Sequence, residues 1–185
     1  MDAAGLQAGR RSPACKAPTL HRLLVLACLA LWLPLAAAAE APRYRVVKVY
    51  DGDTVRVAGP QGDHLVRLVG IDAPETAKGP DRPAQPFSAR ARSYLNAQAR
   101  HRRVDLVRYG LDPYRRTLAE VILDGRNLNL EILREGLAEV YRGRTPPELD
   151  MRPYRQAERE ARTRGKGVWS QGRHYRSPLE VKHPD

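Results

Sequence analysis

Cysteine is almost missing from this sequence. The 185 residues hold two, Cys15 and Cys28, and both precede residue 40. A folded body built from the remainder has no thiol, which excludes disulfides and thiolate metal centres there. Histidine offers no substitute, because His64, His101, His174 and His183 are scattered and read as surface residues. No internal repeat and no long low-complexity tract occurs, which sets aside repeat arrays. Acidic residues are also in the minority, at 21 against 32 lysines and arginines.

What is present is enough for one domain with an appendage. Hydrophobic residues make up 42% and charged residues 29%, a balance that supports a packed core. The formal charge is +11, of which the first 39 residues, with Arg10, Arg11, Lys16 and Arg22 against Asp2, account for +3. The body therefore stays strongly basic. Such a surface attracts polyanions, nucleic acid first among them, although a merely solvated basic surface has the same composition.

The N-terminal stretch reads as a targeting segment. Arg10, Arg11, Lys16 and Arg22 form a positive region, and residues 23–39 follow without a charge. Leu23 to Leu35 supplies an export-signal apolar core and Ala37–Ala39 the small residues of a cleavage site, placed after Ala39. Residues 1–39 are thus a signal peptide and residues 40–185 the exported domain, secreted or periplasmic. Three other readings of this segment exist. A retained membrane anchor needs about 17–25 apolar residues, and this run lies at the lower edge of that range. Lipid attachment at Cys28 would leave too short an apolar core before it. Arg10-Arg11 is a weak twin-arginine signal.

After residue 43 the pattern turns to strands. Residues 44–50 and 54–58 are β-branched and aromatic runs around Asp51-Gly52-Asp53, a hairpin expected to turn through two residues. Gly59-Pro60-Gln61-Gly62 marks the next turn, and His64 to Ile71 reads as one continuous third strand. A Pro- and Gly-rich loop runs from Asp72 to Gln85. Phe87, Ala91, Tyr94 and Leu95 recur at helical spacing, predicting a helix from about Pro86 to Arg100. Residues 104–107 and 117–123 are strands four and five. Leu130, Ile132 and Leu133 predict a short helix capped by Asn127 or Asn129 and ended by Gly136. Asp150 is expected to cap a last helix that buries Tyr154, Ala157 and Ala161 and stops at Gly165 and Gly167, with Trp169 folding back. Five strands and about three helices make an α+β, mainly β, fold and suit a Greek-key barrel of the OB type; pattern alone does not separate it from other small α+β folds.

Three motifs carry chemistry. Asp51-Gly52-Asp53-Thr54 alone is a common turn. Arg67-Leu68-Val69-Gly70-Ile71-Asp72-Ala73-Pro74-Glu75 is an apolar strand that delivers an arginine and ends in two carboxylates. Asp112-Pro113-Tyr114-Arg115-Arg116-Thr117 is a turn releasing an arginine pair into strand five. In this order, with the Asn129–Ala138 stretch and Gly167-Val168-Trp169, they resemble the staphylococcal-nuclease-like (thermonuclease) family over roughly Tyr44 to Trp169.

The resemblance implies a calcium-dependent endonuclease that hydrolyses DNA or RNA and leaves 3′-phosphate ends. It implies Asp53 and Asp72 as calcium ligands, with the Ala73 carbonyl as a third; such oxygens suit a hard cation. It implies Glu75 as the general base or positioner of the attacking water, and Arg67 and Arg116 as phosphate clamps. Tyr114 and Tyr141 match positions where the family places tyrosines near bound nucleotide, and half-buried packing is the other reading for each. Nucleic acid is the expected partner, no obligate protein partner is implied, and a monomer is expected. Two positions depart from the family pattern: Arg115 stands where a glycine is usual, and Pro113 where a phosphate-contacting lysine can sit. Strand alternation places Tyr114, Arg116 and Leu118 on the site face and Arg115 and Thr117 on the other. The alternative function is an OB module that binds nucleic acid without cutting it.

Overall fold

The computed structural model describes residues 43–182; the leader expected over residues 1–39, both cysteines and His183 lie outside the described residues. The strands are β1 (Tyr44–Val49), β2 (Thr54–Gly59), β3 (Gly62–Leu68), β4 (Ile71–Asp72), β5 (Arg103–Leu111), β6 (Thr117–Leu123), β7 (Arg126–Asn127) and β8 (Glu139–Val140). The helices are α1 (Ser88–Ala99), α2 (Leu128–Arg134), α3 (Arg152–Thr163) and α4 (Pro178–Lys182), with 3-10 turns over Gly167–His174 before the last. The main sheet runs β3-β2-β1-β5-β6-β7, and a further β3–β6 pairing closes its five long strands into a barrel. Every neighbour pair is antiparallel except β3–β6, which is parallel. This is the predicted OB-type barrel.

Alternation fills the interior. Along β6, Thr117, Ala119, Val121 and Leu123 are buried and the residues between them are half-buried. Val46, Val55, Val57, Val66 and Leu68 meet them with no exposed surface. Each such aliphatic side chain contributes about 1.5–3 kcal/mol by leaving water.

The third strand is not continuous: Gly70 takes φ +79, and a Cβ there would lie 2.7 Å from the Tyr154 ring. The chain therefore leaves the barrel after Leu68, and β4 pairs with β8 instead. The fourth strand runs on to Leu111, where the exposure of Val107, Arg108, Gly110 and Leu111 erases any inside–outside pattern. Met151, not Asp150, occupies the N-cap of α3, while Asp150 Oδ1 accepts from the Arg152 amide one step further out. His64 is half-buried, edge-on to the Tyr44 ring, rather than a surface residue.

Of the two candidate caps, Asn127 caps α2, accepting from the amides of Asn129 and Leu130. Asn129 does something else. It is fully buried; its Oδ1 accepts from Val121 N–H at 3.0 Å, and its Nδ2 donates to the carbonyls of Val69 and Ala119. One side chain thus ties the end of β3 to β6, where the barrel closes. Asn129→Ala should cost about 3 kcal/mol, three hydrogen bonds at about 1 kcal/mol each, in urea unfolding; a loss under ~1 kcal/mol would show that water replaces the clip.

Candidate active site

The hairpin between β1 and β2 is a three-residue turn rather than the predicted two. Tyr50 N–H donates to Thr54 O at 2.9 Å, and Asp51 Oδ1 accepts the Asp53 amide at 3.0 Å. Gly52 is required by space and not by φ: a Cβ there would lie 2.7 Å from the Cβ atoms of both Ala73 and Ala91. The turn can therefore press against the β4 exit and against α1, and Asp53 faces inward.

Asp53 and Asp72, from separate motifs, meet on one guanidinium. Arg67 Nη1 donates to Asp53 Oδ1 at 2.6 Å, and Nη2 to Asp72 Oδ1 at 2.9 Å. Both carboxylates are buried. Thr54 Oγ1 donates to Asp53 Oδ1 at 2.9 Å and the Ala73 amide to Asp53 Oδ2 at 2.9 Å, so the Ala73 peptide also lies against the cluster. Burial opposes the charge on Arg67, yet Asp53 and Asp72 outweigh it and hold the guanidinium pKa above its ordinary value. Asp51 experiences the opposite balance. Desolvation, then the charge of Asp53, pushes its pKa up to about 7.

Asp53 and Asp72 outnumber the one guanidinium they share, which leaves a surplus of negative charge in a poorly solvated place. The donors are oxygens, and among the described residues no histidine or cysteine joins them and no three acidic, histidine or cysteine side chains are grouped so as to hold a metal ion by themselves. Protein oxygens that are few and hard, with water or substrate completing the shell, fit calcium better than a soft metal.

Glu75 stands on the loop after β4. Its amide donates to Gln85 Oε1 at 2.7 Å, its carbonyl accepts the Gln85 amide at 2.9 Å, and Lys78 Nζ lies 2.5 Å from its Oε2. Buried Gln85 thus pins both ends of the loop; nothing in the sequence marks it out from other glutamines.

Arg116 is placed by Asp112, the residue that opens its motif. Asp112 Oδ1 accepts the amides of Tyr114 and Arg116, and Asp112 Oδ2 accepts from Arg116 Nε at 2.6 Å. Arg67 faces Leu118 across β3–β6, and Arg116, two residues before Leu118, lies in the turn ahead of β6, held there by Asp112. The expected alternation reaches neither Arg116 nor Tyr114, because β6 begins at Thr117 and the preceding residues form a turn. Tyr114 is 81% exposed, with the Arg116 guanidinium 5.4 Å from its ring centroid. Tyr141 is half-buried beside the site strand, its amide donating to Gly70 O and its ring over Gly143. Where Tyr114 has an open face, Tyr141 is also a packing residue.

A third buried carboxylate lies across from Asp72 on β8. Glu139 faces Asp72 across β4–β8 and accepts from Tyr175 Oη at 2.7 Å and from Ser177 Oγ. Burial raises its pKa, and these hydrogen bonds work against that rise. The C-terminal segment is thereby bonded to the strand that carries Asp72. Glu139 reads in sequence as one more helix-flanking charge, so no signal pointed to it.

Residues 65–171 match the family described as Staphylococcal nuclease homologue. An uncharacterized endonuclease of Haemophilus influenzae is 32% identical over 152 residues, 81% of this chain and 79% of the relative. A thermonuclease of Staphylococcus intermedius is 37% identical over 132 residues, 68% of this chain and 75% of the relative. A probable endonuclease LCL3 of Scheffersomyces stipitis is 34% identical over 124 residues, and the chain spans about half, 52%, of its length.

Arg115 adopts φ +61, a left-handed conformation suited to glycine. That region costs a side-chain-bearing residue about 1–2 kcal/mol, and glycine brings an entropic penalty of roughly 0.5–1 kcal/mol. Arg115→Gly should therefore stabilise the fold by about 0.5–1 kcal/mol, read as a rise in denaturation midpoint. A fall of similar size would mean that the Arg115 side chain supports the turn.

Proposed function

We propose that this chain, which belongs to the family of staphylococcal nuclease homologues, is an exported nuclease that hydrolyses DNA or RNA phosphodiesters, or both, with calcium held at Asp53 and Asp72. The observation that carries the reading is the single guanidinium of Arg67 gripping two buried carboxylates from separate motifs, beside the loop of Glu75. Such a grouping costs desolvation energy that a stabilising role alone does not repay well. It suits a centre that must hold a cation and a phosphate together.

Arg67 and Arg116 bind the non-bridging oxygens of the scissile phosphate, and their charge counts most as negative charge builds on phosphorus. Glu75 orients a water molecule and takes its proton. The water oxygen bonds to phosphorus as the bond to the 5′-oxygen breaks, and the departing oxygen takes a proton from solvent, leaving a 5′-hydroxyl and a 3′-phosphate. Bound calcium would supply Lewis-acid polarisation of the phosphate. A carboxylate is a weak base, so the two arginines carry much of the barrier reduction. Tyr114, with its open ring, stacks against the nucleotide, and Tyr141 flanks it.

Exported protein, with an intact mass beginning at Glu40, should cut plasmid DNA, RNA or both in calcium and stop in excess chelator. Magnesium should support the reaction poorly, because it demands tighter geometry and sheds water reluctantly. Glu75→Gln should lower kcat about 10²–10⁴-fold with the fold intact. Full activity in chelator would overturn the metal assignment, and binding without cleavage in calcium would make the chain a binding module.

A further inference from the structure

The outer face of the β1–β2–β3 meander carries cations that the active site does not use. Ladder register places them. Arg45 lies opposite Ala58 and Lys48 opposite Arg56, because a bulge between the two positions brings residues three apart onto one face. Arg56 in turn faces Leu65, and Thr54 faces Arg67. Across the other edge of β1, Arg45 faces Arg103 of β5. Directly opposed residues share a face, so Arg103, Arg45, Lys48 and Arg56 form one strip that ends beside Arg67.

All four are exposed, and among the described residues none lies within ion-pair distance of a carboxylate. The acids of this face sit at its margins: Asp105 pairs with Arg43 at 3.7 Å, and Asp63 lies at the β2–β3 hairpin opposite Ala58. Two like-charge pairs, Arg45 with Arg103 and Lys48 with Arg56, therefore stand directly opposed, an arrangement that destabilises a sheet. The second pair is organised by an aromatic ring. Lys48 Nζ lies 4.7 Å and Arg56 Cζ 5.8 Å from the centroid of Tyr50, the residue just before the Asp51–Asp53 turn. Beside Arg56, Leu65 is 38% exposed and offers an apolar surface among the charges.

We propose that this strip binds the sugar–phosphate backbone of a single nucleic-acid strand and leads it to Arg67. The proposal rests on the nuclease reading for its purpose. Arg56 is one cross-strand diagonal, about 7–8 Å, from Arg67, and Lys48, Arg45 and Arg103 lie progressively further away, so the strip spans several consecutive phosphates. Single strands are favoured over duplex because Leu65 can meet the exposed face of an unstacked base. Unneutralised charge at a cost to the sheet is then explained by a polyanion that neutralises it.

The test is binding in chelator, where nothing is cut. Fluorescent oligothymidine DNA and oligouridine RNA are titrated at several salt concentrations with the intact protein and with Lys48→Ala/Arg56→Ala. Losing two phosphate contacts should flatten the slope of log affinity against log salt by about 1.4 and weaken binding roughly 25-fold near 0.1 M salt. The thermal midpoint should hold or rise, since a like-charge pair is removed. Arg92→Ala/Arg100→Ala, exposed cations on α1 and at its end, remove the same charge elsewhere and should leave the slope nearly intact. An unchanged slope in the Lys48/Arg56 variant, an equal loss in the α1 control, or absence of binding by the intact protein would each overturn the proposal. Intact protein that binds with this pattern but never hydrolyses would refute the nuclease reading and leave the strip standing.

Discussion

One guanidinium organises this protein. Arg67 leaves β3 on the face away from the core and bonds Asp53 on one side and Asp72 on the other. The two acids reach it along different parts of the chain, one from a hairpin and one from a strand that has left the barrel. Without the shared cation, two buried carboxylates would face each other with Asp51 close by, and breaking one such buried pair typically costs about 3–5 kcal/mol. The geometry of the site and the stability of its surroundings are therefore one problem.

Close packing solves the placement. Gly52 lets the hairpin lie against Ala73 and Ala91, and Gly70 lets the chain turn out beneath Tyr154. Asn129 locks the barrel seam just before that exit, through Val69. Glu139 then holds β4 from behind and links it to Tyr175 and Ser177 near the C-terminal end. A rigid barrel on one side and a bonded tail on the other leave Asp72 little freedom, as a site built for charge complementarity requires.

Much of this was legible in the sequence, for identifiable reasons. The barrel strands announce themselves because one face is buried and one is wet, as along Thr117–Leu123. The acids and arginines of the three motifs stand out by order and spacing, and the structure joins Asp53, Arg67 and Asp72 by direct hydrogen bonds, with the Ala73 amide among them. What was illegible depends on contacts between distant segments. Glycine at position 52 reads as a turn former, and only the presence of Ala73 and Ala91 shows that it is there for space. The continuous apolar run through Val69 concealed the break at Gly70, because both halves are buried against different partners. The strand face expected to carry Tyr114 stops at Thr117, since Asp112 folds the intervening residues into a turn. Gln85 and Glu139 act through bonds to residues 10 and 38 positions away, which no local pattern encodes.

In the proposed function the acids around Arg67 hold calcium. Thermal unfolding of the protein across a calcium titration tests it without any substrate. A ligand at 100 times its dissociation constant stabilises by about 2.7 kcal/mol, which for a domain of this size raises the midpoint by roughly 5–10 °C. The intact protein should show that rise and Asp72→Asn should lose it. An unmoved midpoint at millimolar calcium, or an equal rise in Asp72→Asn, would contradict it.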